Sequence, residues 1–170
     1  MAKRIVSVTT QTPTATASGA VNLVDATYPF IFKGGSSTQR TNILELFEGG
    51  QAGASSPTIM LLGRDSQVQS GANSNGTGQT DAPLDAATAA LANPVLTGNT
   101  NATNKPQRDS ANHLLNLSFN AFGGIVRWVA APGEEISIVG NTASLGECSF
   151  SAFTGGTPGA AGFHGIYETL

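Results

Sequence analysis

Apolar and polar residues alternate with period two along much of this chain, most cleanly between Leu114 and Leu170. Leu115, Leu117 and Phe119 alternate with Asn116, Ser118 and Asn120. Cys148, Phe150 and Ala152 alternate with Glu147, Ser149 and Ser151. Such spacing places every apolar side chain on one face of a strand and the polar set on the other. The pattern predicts strands over residues 20–25, 28–33, 43–48, 58–62, 114–120, 125–130, 135–139, 147–153 and 164–168, with turn signals between most of them. Within 43–48, Leu44 and Leu46 face one way, and Ile43 and Phe47 the other. Residues 58–62 are apolar on both faces (Ile59, Met60, Leu61, Leu62), which suits a central strand.

Two stretches depart from the pattern. Residues 1–18 read as a Thr-rich arm with Pro13 and no apolar period after Val8, extended or mobile when alone: either a frayed terminus or an arm that orders along a neighbouring subunit. Residues 66–112 read as a long loop excursion from one edge of the fold, a length that in a compact domain is functional or disordered, and the expectation is contact with a partner or a symmetry mate. Inside it, residues 85–92 are rich in alanine and predict a short helix, with Pro83 near its start and Asn93-Pro94 as its stop. Apart from that helix the chain reads as all-β. The expected fold is an antiparallel β-sandwich, a jelly roll of eight to nine strands, occupying 19–170 as one domain behind the arm.

Composition changes the picture chiefly through charge. Only 11% of the 170 residues are charged, against roughly 25% in an average soluble domain, and 21 are glycine. Small uncharged side chains cost little to desolvate, so much of this surface is expected to meet other protein. A net charge of −3, with Lys3-Arg4 as the only basic pair, leaves no footprint for nucleic acid. No apolar run approaches membrane-spanning length, and the run after Lys3-Arg4 is too short for a signal peptide. The single cysteine, Cys148, excludes an internal disulfide, and its place in an alternating strand makes it a buried apolar residue.

Candidate chemistry is sparse. There is no Gly-x-Ser-x-Gly elbow and no phosphate-binding loop ending in Gly-Lys-Ser/Thr. His113 and His164 are far apart, and two histidines supply too few ligands for a metal without a converging carboxylate. Asp81 and Asp85 are four apart, a calcium-ligand spacing only if backbone carbonyls join them; turn punctuation or a helix start accounts for both. Glu134 and Glu135 sit at the rim of a turn made by Pro132-Gly133. Trp128, beside Arg127, is either a core residue or a sugar-stacking platform, and core packing is favoured in a chain with one tryptophan. No catalytic, cofactor-binding or metal-binding residue is assigned, and no cofactor is expected.

The C-terminal block carries a resemblance. Leu117-Ser118-Phe119-Asn120-Ala121-Phe122-Gly123-Gly124 runs into Val126-Arg127-Trp128. Pro132-Gly133-Glu134-Glu135, Gly140-Asn141-Thr142, Ser151-Ala152-Phe153-Thr154-Gly155-Gly156 and Ile166-Tyr167-Glu168 follow. Over about the last 60 residues this resembles virion proteins of tailed bacteriophages, in particular head decoration (cement) proteins with jelly-roll-like folds. The resemblance implies a non-enzymatic homotrimer, made in the host cytoplasm, that binds the major capsid protein on the capsid exterior and braces the shell. It carries over no contact residue. From the arm itself, the expected partner contacts are Lys3, Arg4, Thr9, Thr10, Pro13 and Thr14, with no nucleic acid or membrane as partner. The alternative is a receptor- or glycan-binding jelly-roll module of a head or tail fibre, which would use Trp128.

Overall fold

The computed structural model describes residues 4–11, 30–34, 36–51, 53–55, 57–67, 82–88, 96–98, 107–140, 146, 148–152 and 160–170. Among them the chain is all-β, with eleven strands and no helix: β1 (Arg4–Gln11), β2 (Phe30–Lys33), β3 (Arg40–Gln51), β4 (Pro57–Gln67), β5 (Ala82–Pro83), β6 (Leu96–Gly98), β7 (Gln107–Asn120), β8 (Val126–Val129), β9 (Ile136–Val139), β10 (Cys148–Ala152) and β11 (Ala160–Thr169). The first sheet runs β5-β1-β11-β3-β8, with β9 following β8 along the same side of β3; the second runs β6-β2-β10-β4-β7. Every pairing in both is antiparallel.

The two sheets share one set of buried side chains. Ile43, Leu46, Ile138, Phe163 and Tyr167 of the first lie in the same cluster as Phe32, Met60, Leu62, Phe119 and Cys148 of the second. Alternation explains most of the second sheet's share. Leu115, Leu117 and Phe119 stand opposite Leu62, Met60 and Thr58 in the register of β4 with β7, and directly opposed residues share a face. Leu61, on the other face of β4, is buried as well, as expected of a central strand.

Three sequence expectations change. The arm is the first: residues 4–11 form β1, which pairs with β11 from Arg4↔Thr169 to Gln11↔Gly162 and borders β5 on its other side. The β-branched run of Ile5, Val6, Val8, Thr9 and Thr10 has the composition of a strand, and β11 supplies its ladder from within the same chain. Removing 1–18 would therefore take a strand out of the sheet. The second is the excursion over 66–112. Its described parts are the end of β4, the two short strands β5 and β6, and the start of β7. At 85–88, in place of the start of a helix, Asp85 makes a turn: its side chain accepts the Ala87 N–H (2.9 Å) and its carbonyl the Thr88 N–H (2.9 Å). Residues 89–92, like the expected strand at 20–25 and Asp81, lie outside the described residues.

The third change is in β3. Against β11 its register slips between Glu45↔Ile166 and Ile43↔Tyr167, so Leu44 is an extra residue in a bulge. The bulge turns Ile43 to the core beside Tyr167 and Ile136, while Leu46 keeps its core position opposite Trp128 and Gly165. The neighbouring strand answers it. Between β8 and β9, which follow one another along β3, residues 130–135 loop out, with the Ala130 N–H donating to Leu44 O (2.8 Å). Pro132 and Gly133 form the tip, where Gly133 takes φ +87 and the Glu134 N–H donates to Ala131 O (2.9 Å). Glu134 is exposed at this rim, as expected from the turn residues. A proline and two acids in mid-edge also shield the β8–β9 edge from pairing with another chain.

Candidate functional site

Three groups of side chains stand out from the ordinary packing. The first lies on the outer face of the first sheet. Phe47, His164 and Arg127 occupy one cross-strand row of β3, β11 and β8. The His164 ring meets Phe47 edge-on at a centroid distance of 5.3 Å, and the Arg127 guanidinium lies over the same ring at 5.0 Å. Arg127 also pairs with Glu45, one diagonal step away on β3. The Arg127 side chain is 56% exposed, so the pair contributes little stability by itself and serves mainly to orient the guanidinium.

On the same face, beyond the bulge, runs a polar row. Arg40 donates to Ser137 Oγ (3.2 Å), Ser137 Oγ to Asn42 Oδ1 (2.6 Å), and Asn42 Nδ2 to Glu168 Oε1 (2.9 Å). Asn42 and Glu168 are both buried there, and the row pairs the two ends of the Asn42 amide and Glu168 Oε1, atoms that would be costly to leave unpaired. It ties β9, β3 and β11 side by side. An amide stands between hydroxyl and carboxylate, so nothing in the row withdraws the serine proton. This is a brace, without a nucleophile–base pair.

The third group is the turn between β7 and β8. Asn120 organises it: its side chain accepts the Phe122 N–H (3.1 Å), its carbonyl accepts the Gly123 N–H (2.8 Å), and its Nδ2 donates to Ser55 Oγ (2.8 Å) in the β3–β4 loop. Gly124 follows with φ +129, a conformation that favours glycine. Held this way, Phe122 is 61% exposed and Ile125 74%. Neither residues 49–63 nor 114–126 contain an aspartate, glutamate, lysine or arginine. The turn is thus a stiff apolar tip set between two stretches without charged residues. Replacing Asn120 by alanine removes both side-chain hydrogen bonds and should cost about 1 kcal/mol, a Tm fall of about 3 °C by thermal denaturation. An unchanged Tm would mean that the turn holds without them.

The residues singled out in the sequence do not converge. Arg4, Thr9 and Thr10 sit in β1, with Thr9 opposite His164 and Thr10 opposite Phe163 in register; Lys3, Pro13 and Thr14 lie outside the described residues. His113 is exposed on β7 in the second sheet, whereas His164 is on β11 in the first. Among the described residues no group of three or more His, Cys, Asp or Glu is placed to hold a metal ion. Cys148 is buried in the core, 3.8 Å from Arg64 Nη1, whose nearer partner is the Ser137 carbonyl (2.8 Å) across the gap between the sheets. Trp128 packs against the core opposite Leu46.

Sequence reasoning missed Glu48. It is 1% exposed, opposite core-facing Phe163 on β11 and Val126 on β8, and neither carboxylate oxygen has a hydrogen-bond partner. Burial pushes its carboxyl up to about 9. The signal was present in the spacing: Leu46 and Glu48 are two apart, so a core-facing leucine implies a core-facing acid. Comparison with protein-family models, with curated proteins and with solved structures finds no match for this chain.

Proposed function

We propose that this chain is a non-enzymatic structural protein of a phage particle, a decoration protein that binds the coat lattice from outside and stabilises the shell. The observation that carries this is the stiff, charge-free tip at Phe122 and Ile125. It lies in the stretch whose residues resemble cement proteins, and its rigidity lowers the entropy cost of presenting an aromatic anchor. Strand order supports the matching fold. With β8 and β9 counted as one interrupted strand, the first sheet contains the order β1-β11-β3-β8/β9 and the second β2-β10-β4-β7, the two four-stranded layers of a jelly-roll sandwich. Architecture alone does not assign a role, so the weight rests on the tip and on the resemblance.

Two exposed side chains make a small contact, and one copy would bind weakly. Three copies joined as a trimer would bind a repeating lattice far more tightly through effective concentration. The glycan-binding alternative loses its stacking platform, because Trp128 packs against the core.

The test is cosedimentation of purified protein with capsids of its own coat protein stripped of decoration, with the molar mass in solution measured alongside. Saturable binding by a trimer is expected. The double variant Phe122→Ser, Ile125→Ser should lose at least tenfold in affinity at unchanged Tm, since both side chains are exposed. A monomer that never binds the capsids would overturn the proposal; full occupancy by the double variant would move the contact elsewhere.

A further inference from the structure

Glu48 fills a core position with a carboxyl, and the strands around it differ sharply in how firmly they are held. On one side is β11, ten residues long and paired on both edges, by β1 and by β3. On the other is β8, four residues long, which among the described residues stands at the end of the sheet and pairs only with β3. A joint lies at each end of β8: Gly124 before it, just past the last hydrogen bond of the Asn120 turn, with φ +129 and open space where a Cβ would be, and the Pro132-Gly133 loop after it.

We propose that ionisation of Glu48 unlatches β8 from β3, so that residues 126–129 lift about Gly124 and the Pro132-Gly133 loop while the Asn120 turn and the remaining strands of the sheet stay in place. A carboxylate in this position needs water, and the described residues offer no compensating charge. On β11, Phe163 stands opposite Glu48, with His164 and Glu168 on the outer face; Tyr167 points inward but lies four residues away, opposite Ile43. On β8, Val126 stands opposite, while Arg127 is outward and paired with Glu45 of β3. From the second sheet, β7 directs Leu115, Leu117 and Phe119 inward, and His113 is exposed. Arg64 of β4 points inward at the opposite end of the core, bound to the Ser137 carbonyl and near Cys148; Lys33 and Asp65 follow core-facing residues and lie on the far face of their sheet.

Water reaches Glu48 most cheaply by moving Val126. Shifting Phe163 would break a strand bonded on both sides, whereas lifting β8 breaks the four register pairs from Glu45↔Val129 to Glu48↔Val126. The movement also carries Trp128 away from Leu46. Because burial raises the Glu48 carboxyl to about 9, the latch is closed in acid and opens as the solution turns alkaline.

Trp128 is the only tryptophan in the chain, so its fluorescence reports on β8 directly. Between about pH 6 and about pH 9.5 its emission in the intact protein should shift to the red while the far-ultraviolet circular dichroism holds steady. The Glu48→Gln variant should show no shift over that range. Amide exchange in the wild-type protein gives a second readout: beyond the intrinsic base dependence, protection should fall in β8 and persist in β11. The same red shift in Glu48→Gln, loss of circular dichroism together with the shift, or equal loss of protection in β8 and β11 would each overturn the proposal.

Discussion

Glu48→Gln should stabilise the fold by about 3 kcal/mol at pH 7 and leave it unchanged near pH 4. In the unfolded chain the carboxyl titrates at its ordinary value of 4.5; in the folded chain burial raises it to about 9. Between these values the folded state holds a proton that the unfolded state has released. Wild-type stability is therefore complete below the unfolded value and falls by about 1.4 kcal/mol per pH unit as pH rises toward the folded one. At pH 7 the folded value still lies above the solution pH, so the size of the loss depends only on the distance from 4.5.

Glutamine is nearly isosteric with the neutral acid and leaves a polar group equally unpaired, so the comparison isolates ionisation from packing. The difference corresponds to a Tm raised by about 6 to 12 °C at pH 7. Denaturant titrations of both proteins from about pH 4 to about pH 8 measure it. Parallel pH profiles would show that the Glu48 carboxyl is hydrated or partnered in the folded state. A core that tolerates this penalty at neutral pH has retained an acid where leucine would fit the pattern, which is consistent with a use for the charge such as the β8 latch.

Much of the architecture is legible locally. Alternation locates the strand cores of β3, β4, β7, β8, β9, β10 and β11, and Thr58 to Leu62 already reads as central. The misses have physical causes. The pairing of β1 is not legible locally despite its β-branched composition, because Arg4 pairs with Thr169 at the other end of the chain, and no local period encodes a contact at that separation. β5 and β6 are two and three residues long, too short to carry a period. The bulge at Leu44 leaves no residue signature, yet it decides which side of β3 Ile43 serves. Asp85 shows the limit of propensity: alanines after it favour a helix, but its side chain closes a turn first. The tip at Phe122 was visible as a glycine turn, while its stiffness depends on Ser55, some sixty residues away on another loop.

Gly34→Ala should cost on the order of 3 kcal/mol, more than the same change at Gly53 or Gly133. Gly34 ends β2 where the chain leaves the second sheet for the first, and its N–H donates to the Gly140 carbonyl (3.2 Å) just past β9. A Cβ at position 34 would stand 2.6 Å from that oxygen and 3.0 Å from its carbon. Both are backbone atoms, so no rotamer change relieves the clash. Gly140 cannot retreat freely either. It takes φ +72, its own Cβ position is 3.0 Å from Ser37 O, and its N–H donates to Gln39 O (2.9 Å). The crossing joins both sheets, so displacing it pulls on β2, β3 and β9 together. Two other glycines separate the causes. Gly53, exposed with nothing within 4 Å, should accept alanine within about 0.5 kcal/mol. Gly133 has open space but φ +87, and should lose about 1 kcal/mol from conformation alone. Denaturant unfolding of the three variants gives the ranking. If Gly34→Ala fell no lower than Gly133→Ala, the two sheets would not be joined by the close backbone approach of Gly34 and Gly140.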